Sequence, residues 1–154
     1  MGKGLYAILA FALGFMIAQI AKILIAYFKK DKKGRPMGMK GVVKALGKSG
    51  GMPSGHSASF AALSVFLGLV EGFDSIAFAI AVSMTSIIVY DAVNVRFAVG
   101  QQGKLLNKIA LNDDDDETVP QKLIEGHTIL QVTIGLVIGC LIGYLIFTLY
   151  RASL

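Results

Sequence analysis

Residues 50 to 73 read GGMPSGHSASFAALSVFLGLVEGF, and this stretch decides the fold because it joins a polar helix start to an apolar helix. Pro53 suits the first turn of a helix, where no backbone donor is needed. Ser54 and Ser57 are residue types that cap helix starts. The apolar run from residue 57 to residue 73 therefore predicts a buried or membrane-spanning helix with a polar mouth.

The mouth of this helix has the chemistry of an anion site. Gly50, Gly51 and Gly55 leave main-chain N–H groups open to close approach, and a helix start carries free donors and the positive end of the helix dipole. The imidazole of His56 can donate or accept a proton. The eight residues from 50 to 57 are therefore predicted to hold a phosphate.

The composition indicates a membrane protein. Of 154 residues, 55% are hydrophobic and 16% are charged, and the mean hydropathy is +0.66, which is too apolar for a soluble domain of this size. The one cysteine, Cys140, lies in an apolar run, so no intramolecular disulfide can form. We expect a single all-α membrane domain over 1–154, an integral four-helix bundle with spans at about 5–28, 57–73, 75–95 and 128–150.

The basic residues predict the orientation of these spans. Twelve of the fifteen lie in the connections 29–53 and 96–127. The positive-inside rule then places both connections in the cytoplasm and both termini outside. We expect a multi-pass protein of a bacterial-type plasma membrane. Basic loops beside lipid headgroups explain the positive charge, and no aromatic-interleaved basic surface points to nucleic acid as a partner.

The acidic run Asp113–Asp116, followed by Glu117, does not have the pattern of a metal site. Calcium loops alternate their ligands with spacers and need a glycine turn, which this run lacks. No zinc spacing, Walker motif or convincing dinucleotide fingerprint occurs elsewhere. We expect a solvated acidic loop, and neither a metal nor a cofactor.

Three polar clusters lie at the ends of predicted spans. They are at the start of the second span, the end of the third and the start of the fourth. Because successive spans alternate in direction, all three clusters lie at the same membrane face. Ionisable groups at membrane depth are costly and usually functional. Lys22 lies near the same face, with Gln19 three residues before it on one helical side. The titratable side chains of the three clusters are His56, Asp91, Arg96 and His127.

These clusters carry a resemblance to a known family. The segments concerned are 50–57, Tyr90-Asp91-Ala92 with Val95-Arg96, Gly100-Gln101, and Gly126-His127-Thr128. Together they resemble the divergent branch of the type 2 phosphatidic acid phosphatase superfamily, which is related to acid phosphatases and vanadium haloperoxidases. The resemblance runs from Gln19 to the last span.

The resemblance implies a metal-independent phosphatase that works through a phosphohistidine. In that scheme His127 attacks phosphorus and His56 protonates the leaving oxygen. The substrate is a lipid-linked or small phosphate ester or diphosphate, and the phosphate-binding groups are Lys22, Arg35, Ser54, Gly55 and Arg96.

Two positions depart from the family pattern. Gln121 stands where the phosphatases place an arginine, and Gln131 stands where they place the aspartate that orients the nucleophile. We expect Asp91 to orient His127 instead through a hydrogen bond. The alternative is a non-catalytic membrane protein that binds or moves a phosphorylated lipid with the retained anion pocket; haloperoxidase chemistry would need vanadate bound at the inner face.

Overall fold

A computed structural model describes residues 2–30, 34–47, 51–110 and 126–154. In this part of the chain, helices are joined by short turns and irregular connections, and one isolated antiparallel bridge pairs Lys30 with Pro36. A five-residue π-helical turn, Asp91–Val95, joins the fourth and fifth helices. The helices are α1 (Lys3–Phe28), α2 (Gly38–Gly47), α3 (Gly55–Glu71), α4 (Ile76–Tyr90), α5 (Arg96–Ala110) and α6 (Ile129–Ala152).

Among the described residues, three helical stretches are long and apolar enough to cross a membrane: α1, the continuous stretch Ile76–Ile109, and α6. The predicted second span corresponds to the shorter apolar helix α3, and the arrangement of four spans stays a prediction. The helix α3 has 17 residues, and at about 1.5 Å per residue it is roughly 25 Å long, short of the roughly 30 Å of a hydrocarbon core.

The short helix α3 is nevertheless the centre of the fold. It packs against α1, α4 and α6. Its buried positions are mostly alanine and serine, which allow close approach of neighbouring helices, and Phe66 is the largest side chain completely buried. At its far end, Glu71 pairs with Lys3 at the start of α1, with 2.8 Å between the charged atoms.

The glycines of α6 repeat at four-residue intervals, which predicts a close helix contact, and the structure shows this contact with α3. A Cβ added at any of these glycines would press on a backbone carbonyl of α3, or of the residue that caps it. The four-residue spacing on α6 thus matches a four-residue spacing on its partner. The facing pairs are Gly135 with Ser54, Gly139 with Ala58, and Gly143 with Ala62.

The helical structure after α4 continues further than the sequence predicts. We expect the third span to end near residue 95, whereas the helix runs through the π turn into α5 and ends at Ala110. No proline interrupts this stretch, and Gly100 and Gly103 do not stop it. The stretch Ile76–Ile109 has 34 residues, which corresponds to roughly 51 Å. It is therefore longer than the roughly 30 Å hydrocarbon core of a bilayer, and part of α5 extends beyond that core.

Candidate functional site

The predicted phosphate-binding start of α3 is present as a capped helix. Ser54 is the N-cap and only 1% exposed; its hydroxyl accepts from the N–H of Ser57 at 3.4 Å and lies 2.8 Å from the Ser57 hydroxyl. Its own N–H donates to the carbonyl of Gln131 at 3.1 Å. Ser54 is therefore buried and hydrogen-bonded within the protein through both its hydroxyl and its N–H, and its role in binding phosphate stays a prediction. Gly55 opens the helix, where N–H groups lack intrahelical acceptors.

One side of α1 forms a wall along the loop that precedes α3. A Cβ added at Gly51, which has φ of +101°, would lie 2.9 Å from Cε of Lys22. A Cβ added at Gly55 would lie 3.1 Å from the ring of Phe15 and 3.4 Å from Nε2 of Gln19. The loop thus descends along α1, from the level of Lys22 to that of Phe15.

This packing fixes the depth of the loop. Phe15 is 13 residues before the end of α1 at Phe28, which corresponds to roughly 20 Å along the helix. Gly55 therefore lies well inside the apolar length of α1, and this explains why α3 is short. The chain reaches this depth as a loop and begins its helix there.

His56 lies in the first turn of α3 and is exposed. Its ring packs edge-on against Phe15, with 6.0 Å between the ring centroids. The side chain is therefore on the α1 side of the helix start. An exposed imidazole at this position is available to a ligand.

His127 is held against the π turn by its own backbone. Its N–H donates to the carbonyl of Ala92 at 3.1 Å. The preceding residue, Gly126, lies so close to the backbone of Arg96 and Phe97 that a Cβ there would overlap it. Only glycine fits this approach, and His127 is consequently half-buried beside the π turn.

The charges around His127 show which groups share its neighbourhood. Burial lowers the pKa of the His127 imidazole first, and the positive charges of Lys22, His56 and Arg96 lower it further. These three groups come from α1, α3 and the α5 start. The imidazole of His127 is therefore favoured in its neutral form, the form that acts as a nucleophile.

The expected hydrogen bond from Asp91 to His127 does not form. Oδ2 of Asp91 accepts from Nε of Arg96 at 2.5 Å. The physical reason is the π turn: the N–H of Arg96 bonds to the carbonyl of Asp91 five residues earlier, and this wider turn brings side chains five apart together. An ordinary α-helix would place them on different faces.

Gln131, which stands where the family pattern has the orienting aspartate, is also hydrogen-bonded elsewhere. It forms a capping box with Thr128: its N–H donates to the threonine hydroxyl at 3.4 Å, and its Oε1 accepts from the Thr128 N–H at 3.1 Å. The buried Nδ1 of His127 has no hydrogen-bond partner among the described residues. Neither Asp91 nor Gln131 orients the imidazole in this structure.

The remaining predicted positions divide into two groups. Arg35 lies exposed in the connection between α1 and α2, and its role at the site stays a prediction. The acidic run 113–117 and Gln121 lie outside the described residues. Within the described ranges, no group of three or more His, Cys, Asp or Glu side chains could hold a metal ion.

Phe15 is a site residue that the sequence did not reveal, because one more apolar side chain in an apolar helix carries no signal. Gln19 had a signal, since it lies one helical turn before Lys22. The structure brings its amide to Gly55. The helical spacing of Gln19 and Lys22 within an apolar span thus indicates the side of α1 that faces the site.

Comparisons with known proteins show the family to which the chain belongs. Residues 5–142 match the model of the Divergent PAP2 family. A 64-residue region, 42% of this chain, is 41% identical to an uncharacterized membrane protein, YuiD, of Bacillus subtilis (strain 168), and covers 40% of that protein's length. No solved structure matches. With three apolar helices and a family match over most of its length, the chain is an integral membrane protein and belongs to the Divergent PAP2 family.

Proposed function

We propose that this protein is a membrane-embedded, metal-independent phosphatase that hydrolyses a lipid-linked or small phosphate ester or diphosphate through a phosphohistidine. The observation that carries the proposal is the electrostatic cluster at His127, whose pKa is lowered by burial and then by the charges of Lys22, His56 and Arg96. Two histidines and two basic side chains in one neighbourhood are what phosphoryl transfer without a metal needs. Family membership gives the second support.

In the first half of the proposed reaction, Nε2 of His127 attacks phosphorus while Nδ1 carries the imidazole proton. The N–P bond forms as the bond to the leaving oxygen breaks, and His56 donates its proton to that oxygen. Lys22 and Arg96 offset the charge on the equatorial phosphoryl oxygens, and the free N–H groups at Gly55 add donors from the helix start.

In the second half, His56 takes a proton from water as the water oxygen attacks phosphorus. The N–P bond breaks as the new P–O bond forms. Inorganic phosphate leaves, and His127 returns to its neutral form. Asp91 acts in this scheme through Arg96: its carboxylate holds the guanidinium within the cluster. It is therefore a positioning residue rather than the partner of His127.

A second function is favoured by one specific observation. Nδ1 of His127 is buried without a hydrogen-bond partner among the described residues, and an imidazole that lacks an orienting acceptor is a poorer nucleophile. The same cluster then serves to bind or move a phosphorylated lipid without cleaving it.

The proposed orientation is shared by both functions: the site faces the cytoplasm of a bacterial-type plasma membrane, on the side of the basic connections.

The test is a phosphatase assay of the purified protein in detergent with a chelator, against lipid and soluble phosphates. His127→Ala is expected to abolish turnover and phosphate labelling of the protein. His56→Ala is expected to slow it by about 10²-fold or more, while Lys104→Gln on α5 serves as the matched control. An acid-labile phosphoryl group absent from His127→Ala would identify the intermediate.

The binding alternative is separated by a direct measurement. If the wild-type protein turns over no substrate but binds inorganic phosphate, and Lys22→Met weakens that binding, the second function is correct. Gln131→Asp then becomes informative, because it restores the acceptor of the family pattern. Turnover that persists in His127→Ala would reject the phosphohistidine mechanism.

A further inference from the structure

The helix α2 has three chemically different sides. One side packs on α1: a Cβ at Gly41 would press on the carbonyl of Ala26, and Val42 is buried. A second side is apolar and uncovered, since Met39 is 71% and Val43 67% exposed. The two side chains are four residues apart, one above the other on the helix surface.

The depth of α2 decides what covers its apolar side. Its contact point on α1, Ala26, lies two residues before the end of that membrane-length helix at Phe28. The helix α2 therefore lies at the level where the apolar span ends and lipid headgroups begin. At that level, side chains such as Met39 and Val43 can enter the acyl chains, as in helices that lie in the membrane plane.

The third side and the adjoining loop are basic. Lys40 is exposed on α2, and Lys29 and Lys30 are exposed at the end of α1. The N–H of Met37 donates to the carbonyl of Lys29 at 2.8 Å, which holds the loop beside the start of α2. The connection 29–53 contains eight basic residues and a single carboxylate, so its charge complements an anionic surface.

We propose that α2 is an in-plane anchor for an anionic lipid leaflet: Met39 and Val43 enter the acyl chains, and Lys29, Lys30 and Lys40 bind lipid phosphate groups. This surface is separate from the histidine cluster and does not depend on its chemistry. Along the chain, Gly51 follows the end of α2 by four residues and packs on Lys22.

The experiment uses the full chain with Cys140→Ser, reconstituted in vesicles. Val43→Cys carries an environment-sensitive fluorophore, and Ser153→Cys, at the exposed end of α6, carries the same label as a control. In vesicles of phosphatidylcholine mixed with phosphatidylglycerol, brominated acyl chains should quench the Val43 label several-fold more than the Ser153 label. Aqueous iodide should quench the two labels in the opposite order.

The charge dependence is tested with matched lysine variants. Replacing phosphatidylglycerol with phosphatidylcholine, or raising the salt concentration, should reduce the acyl-chain quenching of the Val43 label. Lys29→Gln with Lys30→Gln and Lys40→Gln should reduce it similarly in anionic vesicles. Lys104→Gln with Lys108→Gln on α5 should leave it unchanged.

Three results would overturn the proposal. Strong iodide quenching of the Val43 label in anionic vesicles would show that this side of α2 faces water. Equal acyl-chain quenching in neutral and anionic vesicles would show lipid contact without charge recognition. An increase in acyl-chain quenching after the carboxylates of residues 113–117 are neutralised, with no effect of phosphatidylglycerol, would show that the chain's own acidic run occupies the basic side.

Discussion

Replacing Gly139 with alanine should force α3 and α6 apart at their closest contact. The added Cβ would lie 2.7 Å from Cβ of Ala61 and also press on the carbonyl of Ala58. Neither atom can rotate away, because one is backbone and the other is fixed to it. Since carbon atoms pack at about 3.5 to 4.0 Å, the helices must separate locally by about 0.8 to 1.3 Å.

The free-energy change has two opposing contributions. Alanine favours a helix interior over glycine by up to about 1 kcal/mol. Overpacking of a tight contact typically costs about 1 to 3 kcal/mol, and the separation also weakens the neighbouring contacts at Gly135 and Gly143. We expect Gly139→Ala to lower the free energy of unfolding by about 1 kcal/mol.

Gly4 provides the matched control, because nothing lies within 4 Å of a Cβ added there. Circular dichroism melting in one detergent measures both variants beside the wild type. Gly4→Ala should be neutral or stabilising, and Gly139→Ala should melt at a lower temperature. If both variants melt at or above the wild-type temperature, the close approach of α3 and α6 is wrong.

Four further predictions concern the site and the orientation. Lys22→Met should raise the pKa of His127 by removing a positive charge, which a histidine NMR titration measures; an unchanged pKa would place Lys22 elsewhere. Because the His127 pKa lies below its ordinary value of about 6.5, the unfolded chain binds more protons, and stability should fall as pH drops below that value. Thr128→Ala should cost about 0.5 to 2 kcal/mol by removing the cap shared with Gln131, measured by thermal melting beside the conservative Thr128→Ser. Ser49→Cys, without the native cysteine, should resist labelling by an impermeant reagent outside intact cells; strong labelling would reverse the orientation.

The sequence allowed the helical class, the membrane environment and the family to be predicted, because each depends on a repeated or local pattern. Apolar length predicts α1 and α6, and the spacing of Gly135 and Gly143 predicts a close helix contact. The helix α3 was predicted at 57–73 and lies at Gly55–Glu71, but its position beside α1 could not be predicted, since apolar composition does not show which neighbours a helix start contacts. Its packing against Phe15 and Gln19 places its start partway along α1.

The sequence predicted that His56 and His127 lie near each other at helix starts, but it did not predict the hydrogen bonds around them, and their catalytic roles stay predictions. His56 and His127 begin helices, and alternating span directions bring such helix starts together. The pairing of Asp91 with Arg96 depends on a π turn, which leaves no pattern in the sequence of an otherwise regular helix. Ser54 was similarly predicted as a phosphate donor because a capping serine and a ligand-binding serine have the same sequence signature.

The short α3 also has a consequence for how the chain enters the membrane. With roughly 25 Å of helix and buried serines such as Ser57 and Ser64, it gains less from lipid than α1 does. Its stability there depends on packing against α6, which follows it in the chain and covers the carbonyls of Ala58 and Ala62. In chains truncated before residue 128, α3 lacks its packing partner α6 and should be less stable in the membrane. Such chains should be degraded faster by membrane proteases than the full chain.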